Sequence, residues 1–159
     1  MSDDTPSDLV ISAHSLGKTF KDFWGRTKVQ ALTSIDFEVR RGEVFGLLGP
    51  NGAGKSTAIK LILGLLKPTS GDIEIFGQSP HDVRTKGRIG YLPEETYLYR
   101  YLTATEILTF YARLFEIPAQ ERRSRISELL KMIGLDHAEK RVVGEFSKGM
   151  ARRIGLAQA

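Results

Sequence analysis

The stretch "GPNGAGKST", Gly49 to Thr57, decides how the rest of this chain is read. Gly49, Gly54, Lys55 and Ser56 satisfy the spacing G-x-x-x-x-G-K-[ST], the pattern of a loop that cradles phosphate. Fixed positions of these types recur by chance in roughly one chain of this length in a few hundred, so coincidence is a weak explanation. Gly49, Gly52 and Gly54 allow a turn tight enough to aim successive amides at one anion, and a following helix adds the partial positive charge of its N-terminus. Lys55 can then bridge the outer phosphates of a nucleoside triphosphate, and the Ser56 hydroxyl can ligate Mg²⁺. Pro50, Asn51, Ala53 and Thr57 complete the candidate nucleotide-binding positions.

The flanks supply the context such a loop needs. "EVFGLLG" (43–49) is dense in apolar residues and predicts a strand buried on both faces. "KSTAIKLILGLL" (55–66) predicts a helix ended at "KPTSG", where Pro68 and Gly71 forbid continuation. Upstream, "LVISAH" (9–14) and "SIDFEVR" (34–40) read as strands, the second alternating through Ile35, Phe37 and Val39, with "KDFWGRTKVQ" as the loop between. Downstream, "DIEIFG" (72–77) is another alternating strand and "RIGYL" (88–92) a short apolar one. From Tyr101 the period changes from two to about 3.6. "TATEILTFYARLF" predicts a helix with a Thr103–Glu106 capping box and Ile107, Leu108, Tyr111, Leu114 and Phe115 on one face. A second helix begins near Pro118, keeps Ile126, Leu129, Leu130 and Ile133 on one stripe, and stops at Gly134. Strands first and helices afterwards give an α/β fold, a small mixed core followed by a helical subdomain.

Composition excludes several classes. With 159 residues, 41% of them apolar and 26% charged, the chain has the balance of a soluble globular protein of one domain. The apolar run "VFGLLGPNGAGKSTAIKLILGLL" is cut by Pro50, Lys55 and Lys60, so nothing reaches the roughly 18 residues of a spanning helix, and no signal peptide is visible. An intracellular location is expected. The absence of cysteine excludes disulfides and thiolate metal sites. The net charge of +4 is spread along the chain, as on a solvated surface rather than a nucleic-acid footprint. His14, His81 and His137 lack the spacing of a zinc site. "DFWG" (22–25) fits D-x-x-G but precedes the phosphate loop, and no N-K-x-D follows, so it reads as loop. "ERRSRISE" (121–128) reads as a helix's solvent face.

The order "GPNGAGKST", "IEIFGQ", "IGYLPEE" and "FSKGMARRIGLAQA" resembles the first two thirds of an ATP-binding cassette (ABC) transporter nucleotide-binding domain, from about Leu9 to Ala159. The resemblance implies a P-loop NTPase core with an antiparallel β subdomain and an inserted α-helical subdomain, incomplete at the C-terminus. It divides the chain into a flexible leader (1–8), a partial core (9–95), a helical subdomain with the signature motif (96–153) and the start of a return to the core (154–159). "GKTF" stands where the family stacks an aromatic on adenine, which makes Phe20 the candidate, with Phe23 or Trp24 able to substitute. Glu94 stands where the family places a glutamine near Mg²⁺ and the attacking water, and is the one catalytic and second metal candidate. An ionised carboxylate can ligate Mg²⁺, but it cannot donate a hydrogen bond and it repels the γ-phosphate.

"FSKGM" stands where Leu-Ser-Gly-Gly-Gln is expected and retains Ser147 and Gly149. Ser147 can cap the helix that follows, aiming its first amides, with Lys148 beside them, at the γ-phosphate of ATP held by a partner subunit. The resemblance thus implies ATP and Mg²⁺ as ligands, a head-to-tail dimer of nucleotide-binding domains, and a transmembrane permease driven from the cytoplasmic face. The segment from Leu92 to Phe115 looks more like exporters than importers. In the family a Mg²⁺-binding Asp, a catalytic Glu and a switch His follow the signature helix. Residues 1–159 include none of them, so these residues alone are expected to bind nucleotide and to hydrolyse it poorly, with apolar surface left uncovered. A non-transport cassette ATPase and a binding-only P-loop protein remain alternatives; the signature segment argues against a small-molecule kinase.

Overall fold

A computed structural model describes residues 8–95 and 97–159, so most of the leader lies outside the described residues. The chain divides into two compact units, one ending at Ile89 and one running from Gly90 to Ala159. In the first, strands β1 (Leu9–Lys21), β2 (Thr27–Arg40) and β3 (Ser70–Ile75) form an antiparallel sheet in the order β2-β1-β3. The alternation noted in the sequence sets the register: Val39 pairs with Ile11, Phe37 with Ala13 and Ile35 with Leu16. Helix α1 (Lys55–Ile62) packs on β2 and β3, and Ala58 and Leu61 meet Ala13, Leu16, Leu32, Ile73 and Ile75 in one buried cluster. A single turn, α2 (Val83–Lys86), is capped by the Asp82 carboxylate, which accepts from the Arg84 amide.

Several sequence expectations for this unit need correction. The loop over 21–30 is shorter than expected, because β1 runs on to Lys21 and β2 starts at Thr27. Gly25 donates to the Asp22 carbonyl and has φ 77, the type I turn with a left-handed fourth residue that joins strands tightly. Residues 43–49 and 88–92 form no strand. A strand buried on both faces needs ladder partners on both sides, and no described segment pairs with 43–49. Val44 and Leu48 are accordingly 98% and 94% exposed. Helix α1 stops at Ile62, well before Pro68, because Gly64 donates to the Leu61 carbonyl and Leu65 to that of Lys60 in a Schellman closure. A Cβ at Gly64 would sit 2.1 Å from the Pro80 carbonyl oxygen, so the chain's close approach to Pro80 fixes the stop.

The second unit holds α3 (Ala104–Leu114), α4 (Ala119–Met132) and α5 (Lys148–Gln158), with 3-10 turns at Asp136–Ala138 and Val143–Glu145. Ala104, Ile107 and Leu108 of α3, Ile126 and Leu130 of α4 and Ile154 of α5 close around Leu135 and Val143. The stripe on α4 is as expected, with Leu129 half-buried at its edge, and Gly134 and Leu135 close the helix onto the Lys131 and Leu130 carbonyls. On α3 the stripe holds through Ala112, but Leu114 and Phe115 are exposed. Periodicity sets a side chain's angle about the helix and not what lies opposite it, and nothing described covers that last turn.

The capping box at α3 is present as the sequence predicts. Thr103 Oγ1 accepts from the Glu106 amide at 3.2 Å, and the Glu106 carboxylate accepts from the Thr103 amide at 2.8 Å. That backbone bond first, and the Thr103 hydroxyl second, hold the Glu106 carboxyl below the usual carboxylate range. A pKa depressed on folding adds stability that is present above the unfolded value and is lost as pH falls through the folded one. Thr103→Ala is therefore expected to cost about 1 kcal/mol in urea unfolding at neutral pH. Glu106→Gln should flatten the acid side of the stability profile, and an unchanged acid side would contradict this reading.

Candidate functional site

The loop from Gly49 to Gly54 leads directly into α1, and Gly54, its N-cap residue, sits in the left-handed region at φ 87. A Cβ there would lie 2.3 Å from the Ala31 carbonyl oxygen and 2.7 Å from Leu32 Cδ2, so the loop touches β2 where only hydrogen fits. Gly52 also has positive φ, 86, but faces open space. Helix formation starts at once, with the Ala58 amide donating to the Gly54 carbonyl at 2.9 Å. The cap supplies no side-chain acceptor and the first turn holds no acid, so the leading amides of α1 present an uncompensated positive end.

Lys55 completes the cradle. Its Nζ donates to the carbonyls of Gly49 and Pro50, each at 2.7 Å, which lays the ammonium across the loop. Two of its three protons are used and one remains for an anion. Gly49, Pro50, Asn51, Gly52, Ala53 and Ser56 are exposed, while Gly54, Lys55 and Thr57 are half-buried. The Ser56 hydroxyl therefore stands open in the first turn of α1. Phe20 lies on β1 in the same unit, 37% exposed, with Lys18 Nζ 5.4 Å from its ring centroid.

In the second unit, Ser147 is the N-cap of α5, and its Oγ accepts from the Met150 amide at 3.2 Å while its own proton stays free to donate. Lys148 and Gly149 are exposed in the first turn. Two of the three departures from the expected motif, Phe146 and Met150, are half-buried and pack against the helical core. Lys148, the third departure, faces solvent with the retained Ser147 and Gly149.

Glu94 is exposed, and its backbone is anchored. Arg152 of α5 donates through Nη1 to the Glu94 carbonyl at 2.8 Å and to the Pro93 carbonyl. Next to it, Glu95 accepts from the Tyr97 hydroxyl at 2.5 Å, which holds that phenol above its usual range. Nothing in the spacing of Arg152 singles it out in the sequence, because its partners are backbone carbonyls 58 and 59 positions away.

The ABC transporter family profile matches residues 32–159. The chain belongs to the ABC transporter family. It is 48% identical over 158 residues to an uncharacterized ABC transporter ATP-binding protein of Nostoc sp., covering 98% of this chain and 47% of that protein. It is 38% identical to the SkfA peptide export ATP-binding protein SkfE of Bacillus subtilis, covering 79% of this chain and 52% of that one. Among solved structures, an ATP-binding subunit of an ABC transporter superposes with a TM-score of 0.76 at 32% identity, over 94% of this chain and 61% of the other. The chain spans about half the length of the curated relatives it matches. Its fold is that of a P-loop NTPase core with an antiparallel sheet and a helical unit.

The Arg152 anchor gives a direct expectation. Arg152→Ala should speed limited proteolysis within residues 91–95 roughly tenfold, the loss of a charge-assisted bond discounted for its exposure. Unchanged cleavage would show that the loop does not depend on α5.

Proposed function

We propose that this chain is the nucleotide-binding part of an ABC transporter ATPase subunit and holds MgATP on the Gly49–Thr57 loop. The observation that carries the reading is the Lys55 ammonium, fixed across the loop by two carbonyls beside a helix N-terminus that lacks any acceptor of its own. A polyphosphate fits that arrangement in charge and in donors. The outer phosphates would take the remaining Lys55 proton and the leading amides of α1. Mg²⁺ dehydrates reluctantly and is held largely by phosphate oxygens, so it needs few protein ligands. The exposed Ser56 hydroxyl suits one such position, and we assign Glu94 as the second. Phe20 on β1, 37% exposed, is the residue proposed to stack on the base.

The capped and exposed Ser147–Lys148–Gly149 segment suits a γ-phosphate held by a second nucleotide-binding domain, because among the described residues the Ser147 hydroxyl proton and the Lys148 and Gly149 amides are given no acceptor. Phosphoryl transfer rests on positioning and charge neutralisation, both of which the loop can supply. In the whole protein we propose that hydrolysis drives a transmembrane permease from the cytoplasmic side. Among the described residues no helix is long and apolar enough to cross a membrane. Export is the proposed direction, supported by the likeness to a subunit named for peptide export.

Titration calorimetry tests the site. Lys55→Ala should weaken MgATP binding on the order of a hundredfold, because it removes a charged donor and leaves two carbonyls facing the phosphates. Ser56→Ala should weaken MgATP binding while leaving metal-free ATP almost unaffected. Undiminished binding by Lys55→Ala would overturn the assignment.

A further inference from the structure

We propose that the tip of the β1–β2 hairpin is an interfacial anchor that seats on an anionic lipid bilayer. Phe23 is 94% exposed and Trp24 75% exposed, consecutive aromatics in the turn between β1 and β2. They are presented by a turn that is fully bonded. The Asp22 amide donates to the Arg26 carbonyl at 2.9 Å and the Gly25 amide to the Asp22 carbonyl at 3.0 Å. The Asp22 carboxylate accepts from the Trp24 and Arg26 amides at 2.9 and 2.8 Å. Exposure of both rings is thus imposed by an ordered turn, and neither ring is used to build it.

The charges around the tip indicate the partner. Lys21, Arg26 and Lys28 flank the aromatics and are exposed. The single carboxylate between them, Asp22, is already engaged by two amides and by the Arg26 guanidinium at 3.8 Å. The outward face therefore combines an apolar tip with a positive collar. Tryptophan and phenylalanine settle at the headgroup boundary of a bilayer, where basic side chains reach anionic phosphates. The rings cross edge to face, with centroids 5.5 Å apart and planes at 87°, so each keeps apolar surface turned outward. This anchor would act independently of nucleotide and of any permease, adding a direct lipid contact to the function proposed above.

Trp24 is the only tryptophan among the 159 residues, so its emission reports on the tip. The purified protein should be mixed with vesicles of phosphatidylcholine alone and of phosphatidylcholine with phosphatidylglycerol. The expected result is a blue shift and co-sedimentation with the anionic vesicles, roughly thirtyfold stronger than with the neutral ones for the two uncompensated charges. Phe23→Ser with Trp24→Ser should abolish sedimentation, and Lys21→Gln with Lys28→Gln should remove the anionic preference. Circular dichroism of both variants separates loss of the anchor from loss of fold. No response to either vesicle would overturn the proposal, as would equal binding to both. Quenching of Trp24 by MgATP without any vesicle response would also overturn it, making the tip a base-stacking platform instead.

Discussion

The contact on which the phosphate loop depends is the approach of Gly54 to β2, where a carbonyl oxygen of Ala31 occupies the space any side chain would need. That approach lets the chain leave the loop and enter α1 within one residue, so that the leading amides and the Lys55 side chain converge on the same side. The loop is then closed from within by Lys55, whose ammonium satisfies two carbonyls that would otherwise repel an anion. Sheet, loop and helix form one arrangement, because the residues that bury the sheet face also hold α1 in place: Leu32 stands both in the core and against Gly54.

The helical unit follows a separate logic. Its core draws on all three helices, and the signature segment is tied to it by Phe146 and Met150. This explains how a motif that departs from its family at those positions can still present Ser147, Lys148 and Gly149 to solvent. The same helix, α5, reaches the carbonyls of Pro93 and Glu94 through Arg152. Arg152 thus ties the loop carrying Glu94 to the helix that Ser147 caps, within one unit.

What the sequence made legible was local. The phosphate loop, the Thr103–Glu106 box and the Ser147 cap depend on residues within a few positions of one another, and each is found where its pattern stands. What escaped was set by distant partners. Residues 43–49 have the composition of a doubly buried strand, but composition does not supply the neighbours that a ladder requires. Helix α1 ends where Gly64 meets Pro80, a contact its own periodicity cannot show. Arg152 acts on carbonyls, which leave no mark on residue type. Phe23 and Trp24 read as loop residues able to substitute for Phe20, and only the turn geometry shows that they are held outward.

The central claim is that nucleotide binding needs the close approach at Gly54 and not merely a flexible glycine loop. Calorimetric titration of MgATP into Gly52→Ala and Gly54→Ala, beside the unsubstituted protein, tests it most directly. Both positions carry positive φ, so both substitutions strain the backbone, but only Gly54 meets an unyielding carbonyl. The account predicts that Gly52→Ala binds with an affinity reduced by about tenfold, the cost of left-handed strain alone, and that Gly54→Ala shows no measurable binding. Equal, modest losses in the two variants would contradict it.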